Sequence, residues 1–208
     1  KRLNYLKRLK KIVVESKKHQ DELISLGINK DLISLIYPPV NLDDFSFNPV
    51  EGIFNILYAS CPTRKEDFEK RGINLICETS KKFEGFNFTL AWRGGAYDEI
   101  NELVCDNEIG LRFNIKNEII KNMNSVYSKS HCTIIPYIKS DDYLKLVPNS
   151  AIESLAAGKP VLVSSKTEMA EIVEKNKCGV VFEPNISSLY NAIIRLQDNY
   201  EIYQKNCR

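Results

Sequence analysis

Lys145-Leu-Val-Pro-Asn-Ser-Ala-Ile-Glu-Ser-Leu-Ala-Ala-Gly-Lys-Pro-Val-Leu-Val163 holds one complete helix-to-strand step of the chain. Pro148 and Asn149 lead into a helix start, Ile152, Leu155 and Ala156 recur at helical spacing, and Gly158-Lys159-Pro160 stops the helix. The run that follows, Pro160-Val-Leu-Val163, is continuously apolar, as in a strand buried on both faces of a parallel sheet. The same alternation extends in both directions. Strand-type runs occupy residues 55–59, 88–92, 110–113, 132–136 and 179–182. Between them Ile73, Ile76, Cys77 and Ser80 share one helical face, as do Ile119, Met123 and Val126, and Leu189, Ala192, Ile193 and Leu196. Six strands alternating with helices predict an α/β fold, an open parallel six-stranded sheet with helices on both faces and right-handed crossovers.

Composition agrees with a globular domain. The chain has 208 residues, of which 43% are hydrophobic and 27% charged, which excludes general disorder. Apolar runs of four or five residues are too short to span a membrane. The formal charge of +2 hides an asymmetry: residues 1–18 carry eight Lys or Arg and one acidic residue, Glu15, while the rest of the chain is mildly acidic. A broad nucleic-acid footprint is therefore not expected. Cys61, Cys77, Cys105, Cys132, Cys178 and Cys207 are dispersed, without the short spacings of a zinc knuckle or redox pair. With two His in the chain, no metal site is expected, and the reading is a reduced, cytoplasmic protein.

Residues 36–50, with Pro38, Pro39 and Pro49, read as an extended linker between a body at 51–208 and one or two helices within 1–35. Leu3, Leu6, Leu9 and Val13 line one face of such a helix. That face suits a membrane surface or, equally, a partner surface on a further domain.

Ligands of open parallel sheets sit outside the carboxyl ends of the strands. Three loops there carry candidate chemistry. Ser60-Cys-Pro-Thr-Arg-Lys-Glu-Asp-Phe-Glu-Lys-Arg-Gly72 holds Arg64 and Arg71, which suit a phosphate clamp or, equally, a solvated loop of self-paired charges. Trp92-Arg-Gly-Gly95 offers Gly94 for close backbone approach to an anion, or simply a tight turn. Ser150-x-x-Glu153 is either a capping box or a carboxylate placed on the first helical turn to accept two hydroxyls of a ribose.

The ordered set of motifs resembles the nucleotide-binding half of retaining glycosyltransferases of family four, which have the two-domain GT-B fold. It comprises Glu153-Ser-Leu-Ala-Ala-Gly-Lys-Pro-Val-Leu-Val163, Met169-Ala-Glu-Ile-Val173 and Gly179-Val-Val-Phe-Glu-Pro184. Ile36-Tyr-Pro-Pro-Val-Asn-Leu-Asp-Asp-Phe45 is similar to the family's interdomain segment, and Val13-Val-Glu-Ser16 to the end of its acceptor-side domain.

The resemblance implies a Rossmann-like donor domain, the C-terminal half of a GT-B fold, with Glu153 on the ribose of a nucleotide diphosphate sugar such as a UDP- or GDP-sugar. Asn149 and Ser150 at the helix start and Gly94 would also contact the nucleotide. Arg71, before Gly72, matches one phosphate-binding position, with Arg for the family's Lys, and Arg64 is the candidate for the other. Asn114 and Ile115 fall where the family's backbone meets the base. Lys145 stands eight positions before Glu153, where the family usually has a second glutamate, and is read as a contact to phosphates or sugar.

By the same resemblance the chain would be a fragment, and poorly active alone. A sugar or lipid-linked acceptor would be held by a missing N-terminal domain, at the inner face of the membrane for a lipid-linked one. No cofactor beyond the donor is implied. The rival readings are a noncatalytic nucleotide-binding or interaction module on the same scaffold and, last, a nucleotide-sugar epimerase.

Overall fold

The computed structural model describes residues 9–106, 108–139 and 144–207. The body is built on a six-stranded sheet, β3 (Phe54–Tyr58), β4 (Phe86–Trp92), β5 (Phe113–Asn117), β6 (Cys132–Ile135), β7 (Val161–Ser164) and β8 (Gly179–Phe182). The spatial order is β5-β4-β3-β6-β7-β8 and every pairing is parallel. The chain thus starts at the centre, runs outward through β4 and β5, then crosses back to β6 and runs outward again. The strand order reverses between β3 and β6.

Helices α2 (Asp67–Lys70), α3 (Ile73–Lys82), α4 (Tyr97–Asp106), α5 (Asn124–Tyr127), α6 (Asn149–Ala156), α7 (Met169–Asn176), α8 (Ile186–Asp198) and α9 (Tyr200–Lys205) complete the body. Strand periodicity divides the apolar side chains between the two faces. Ile56, Tyr58, Phe88, Leu90, Ile134 and Phe182 join the cluster that includes Ile73 and Ile76 of α3 and Leu189 and Ile193 of α8. Ile135, Val161 and Val163 pack instead with Ala151 of α6 and Val173 of α7. Burial on both faces is why these strands read as unbroken apolar runs.

Two boundaries depart from the sequence reading. The third strand lies at Phe113–Asn117, while Gly110–Arg112 is a 3-10 turn whose Leu111 is fully exposed. β5 is one of the two edge strands, half-buried, and its polar residues Asn114, Lys116 and Asn117 hide it from a search for continuous apolar runs. The helix expected through Ile119, Met123 and Val126 shrinks to Asn124–Tyr127, and Ile119 is exposed. Asn117, Asn122 and Asn124 favour turns over a longer helix.

Residues 1–8 of the expected N-terminal helix lie outside the described residues, so Leu3 and Leu6 are not placed. The rest corrects the helical reading of 1–35. Val13 belongs to strand β1 (Ile12–Val14), followed by helix α1 (Lys17–Ser25) and strand β2 (Ile33–Leu35), with β1 and β2 parallel. The β-branched triplet Ile12-Val13-Val14 favours a strand over a helix. A two-stranded sheet is marginal alone. This one is held on the body: the buried Glu168 carboxylate accepts the backbone N–H groups of Lys17 and Lys18 at the positive end of α1. Lys145 pairs with Glu22 at 2.9 Å.

Residues 36–50 contain one 3-10 turn, Leu42–Asp44, and no strand or α-helix. They lie against the body. Ser46 and Asn124 exchange two hydrogen bonds (3.2 and 3.0 Å), and the buried Lys159 Nζ donates to the Asn48 carbonyl at 2.5 Å with the Phe47 ring 5.0 Å away. Burial lowers the Lys159 ammonium to about 8, from an ordinary value of 10.5.

Between those values the unfolded chain keeps a proton that the folded chain has released, so the Lys159 contribution to stability rises with pH; below 8 the burial cost is fully present. Comparing wild type with Lys159→Met by urea unfolding at several pH values, wild type should gain on the variant by up to about 3 kcal/mol across this window. A pH-independent difference would contradict the buried ammonium.

Candidate functional site

A cavity of about 350 Å³ opens at the carboxyl ends of β3 and β4, beside the reversal of strand order. Its floor is Ala59, Ser60, Cys61, Ala91, Trp92 and Arg93, from the ends of the two strands. One wall is Glu118, Ile119, Ile120 and Met123, and the other is Asn149, Ser150 and Glu153 from the start of α6. A larger cleft of about 600 Å³ lies at the opposite end of the sheet, lined by Phe54, Phe86, Arg112, His131 and Tyr200 among others. There three of the polar side chains serve the fold: His131 Nδ1 accepts the Asn55 N–H at 2.9 Å, Arg112 donates to the Phe83 carbonyl at 2.6 Å, and Tyr200 donates to the His131 carbonyl at 2.9 Å. The smaller cavity is the one with polar groups convergent on open space.

Glu153 is central to it. The capping box does not form: the N-cap is Pro148, no side chain caps the helix, and Ser150 sits buried inside the first turn. The helix begins at Asn149, two residues too early for Ser150 to act as cap. Glu153 Oε2 instead accepts a hydrogen bond from the Tyr127 hydroxyl at 2.8 Å. Its side chain also borders a polar cleft of about 750 Å³ between residues 39–45 and 121–124, so the carboxylate is reachable from two sides. Burial, reinforced by the Glu153 charge, holds the Tyr127 phenol well above its ordinary range, which keeps it protonated and a donor.

The first loop separates its two arginines. Arg71, at the end of α2, donates to Ser60 Oγ on the cavity floor at 2.6 Å and lies 6.0 Å from the Tyr137 ring. Gly72 makes this possible. Its φ is +74°, and a Cβ there would meet the Pro136 carbonyl oxygen at 2.0 Å. The glycine lets the loop fold down onto the end of β6, where Ile138 N–H bonds the Lys70 carbonyl at 2.8 Å. Arg64 is exposed, pairs with Asp67 at 3.7 Å and does not line the cavity. For Arg64 the self-paired loop describes the geometry.

Three further expectations are displaced. Gly94 makes a tight turn at φ +79°, its N–H donating to Asn117 Oδ1 at 2.7 Å, so that amide is not offered to an anion. Asn114 and Ile115 lie within β5, opposite Thr89 and Leu90, and the loop that reaches the cavity is Glu118–Ile120. Lys145 turns to Glu22 and does not line the cavity, and the ion pair holds the Glu22 carboxyl below its usual range. The cavity also brings in Arg93, Cys61 and Glu118, and Tyr127 behind Glu153, none of which the sequence reading names as a site residue. Arg93 directly follows a readable strand and was within reach of the sequence; Tyr127 carried no local signal.

Among the described residues, no three His, Cys, Asp or Glu side chains are grouped to hold a metal ion, and no helix is long and apolar enough to cross a membrane.

The sheet and its cavity define a Rossmann-like domain of the kind that forms the C-terminal half of GT-B glycosyltransferases. The profile of the family described as Glycosyl transferases group 1 matches residues 66–199, and the chain belongs to that family. Three solved structures share the fold. Sucrose-phosphate synthase from Thermosynechococcus elongatus is 19% identical, with a TM-score of 0.78 over 100% of this chain and 54% of its own. HepE from Anabaena in complex with UDP is 14% identical, with a TM-score of 0.81 over 99% and 59%. A glycosyltransferase from Rickettsia africae is 18% identical, with a TM-score of 0.81 over 99% and 61%. The chain therefore spans between half and two thirds of their lengths. A search of curated proteins found no significant match.

Proposed function

We propose that the cavity binds the nucleotide of a nucleotide diphosphate sugar and that the protein transfers this sugar to an acceptor with retention, as family-four enzymes do. The observation that carries the reading is Glu153: a carboxylate at the fifth residue of α6, one turn in from the helix start, at a cavity beside the strand-order reversal, with no capping role. It would accept the two ribose hydroxyls, with the base against Glu118–Ile120. HepE from Anabaena was solved with UDP and with UDP-glucose, which supports a nucleotide-sugar donor, a UDP- or GDP-hexose being the expected class.

Arg71 would offset charge on the departing diphosphate, and the partial positive charge at the start of α6 adds to it. Such a clamp needs positioning and charge, and neither a metal nor a cofactor other than the donor enters it. The sugar or lipid-linked acceptor would be held mainly by the part of the GT-B fold this chain does not span, so the isolated chain should bind donor and turn over poorly.

Calorimetry with UDP, UMP and uridine tests the phosphate assignment. Arg71→Ala should weaken UDP binding by about tenfold while leaving uridine unaffected, as loss of one charge-assisted contact predicts. Arg64→Ala should change neither. Equal losses for UDP and uridine would remove Arg71 from the phosphate site.

One observation favours a binding module without turnover: Lys145 stands where the family usually has a glutamate, and it is tied to Glu22. Donor binding without transfer, once acceptor and the full-length protein are supplied, would select that reading.

A further inference from the structure

We propose that Tyr127 is a positioning residue for the ribose-binding carboxylate: it fixes the Glu153 side chain in the orientation that receives the nucleotide. The inference rests on the reading of Glu153 as the ribose ligand. A glutamate on an exposed helical turn samples many rotamers, and ordering it only when ligand arrives subtracts from affinity. Here one carboxylate oxygen is already engaged by a rigid donor.

The Tyr127 side chain is fully buried, and its ring meets the Phe45 ring edge-on at 5.9 Å. Its hydroxyl lies 2.8 Å from Glu153 Oε2 and 3.2 Å from the Ser150 carbonyl, so it is anchored to the same helical turn that carries the carboxylate. The short helix α5 is itself fixed, through buried Val126, the Ser130 Oγ bond to the Val126 carbonyl at 3.0 Å, and the two Asn124–Ser46 bonds. The phenol thus reaches Glu153 from a frame that includes residues 45 and 46. Binding Oε2 leaves Oε1 and the remaining lone pairs for two neighbouring hydroxyls. A purely packing role would need the ring and not the hydroxyl.

The test is a chemical cycle. Wild type and Tyr127→Phe are titrated with UDP, GDP and ADP, and then with the 2′,3′-dideoxy form of whichever binds wild type. The expected result is that Tyr127→Phe weakens the ribonucleotide by about tenfold, as loss of a hydrogen bond to a charged group predicts. Affinity for the dideoxy nucleotide should stay within about twofold, because the ribose hydroxyls that read the carboxylate are gone. Replacing Tyr127 with 4-aminophenylalanine, which restores a donor, should recover most of the loss, and also serves if Tyr127→Phe fails to fold. Equal weakening of both nucleotides, or no rescue, would make Tyr127 structural only and overturn the inference. Should wild type not distinguish the ribo from the dideoxy form, or bind none of the three, the reading of Glu153 itself fails and the inference with it.

Discussion

Gly72→Ala is expected to destabilise the domain by about 2–5 kcal/mol and to abolish nucleotide binding where the fold survives. Gly72 has a φ of +74°, a region in which an alanine Cβ costs about 1–2 kcal/mol before any contact is considered. The added Cβ would lie 2.0 Å from the Pro136 carbonyl oxygen and 2.7 Å from Pro136 Cβ. The first of these is backbone and cannot swing aside. Relief requires lifting the 69–72 turn from the end of β6, which breaks the Ile138–Lys70 backbone bond and carries Arg71 away from Ser60. For a chain of this size the expected loss in Tm is about 5–20 °C. Thermal unfolding followed by circular dichroism reads it. A Tm within two or three degrees of wild type (about 1 kcal/mol) would mean that the turn is looser than its geometry implies.

Glu153→Ala should have the largest effect on function with a small effect on the fold. Two hydroxyls bonded to one carboxylate are worth about 2–3 kcal/mol beyond their hydration, so nucleoside diphosphate affinity should fall by about 30- to 150-fold. Stability should change by about 1 kcal/mol, because the Tyr127 hydroxyl keeps the Ser150 carbonyl at 3.2 Å as an alternative acceptor and α6 loses no cap. Glu153→Gln, which retains an acceptor oxygen without the charge, should fall between the two. A variant with unchanged affinity and lowered stability would make Glu153 a support for Tyr127 and nothing more.

The sheet was legible because buried parallel strands write themselves as apolar runs, such as Leu57–Tyr58 and Val161–Val163. Where burial is one-sided or the element short, the signal failed. Edge strand β5 alternates Phe113 and Ile115 with Asn114 and Lys116, so the apolar pattern places it three residues early and puts the loop after it at Asn114 and Ile115, where the cavity is met by Glu118–Ile120. β1 is three residues within a basic stretch and reads as helix until its partner β2 is known. Asn149, Ser150 and Glu153 line one wall of the cavity, and Arg71 reaches its floor only through Ser60. Arg64 and Gly94 stay out of it, because the side chains of Asp67, at the start of α2, and Asn117, at the end of β5, take them first. Tyr127 lies 26 residues from Glu153, and only the crossing back from β5 to β6 brings the two together.

The central claim is that the nucleotide sits at the carboxyl ends of β3 and β4. Titrating the ¹⁵N-labelled chain with UDP, GDP and ADP, with amide shifts assigned, tests it most directly. Shifts should concentrate at residues 59–61, 118–123 and 149–153, with Arg71 and Gly72 following for the diphosphates. Shifts confined to the opposite cleft, at Phe54, Arg112, His131 and Tyr200, or no shifts with any of the three nucleotides, would contradict it.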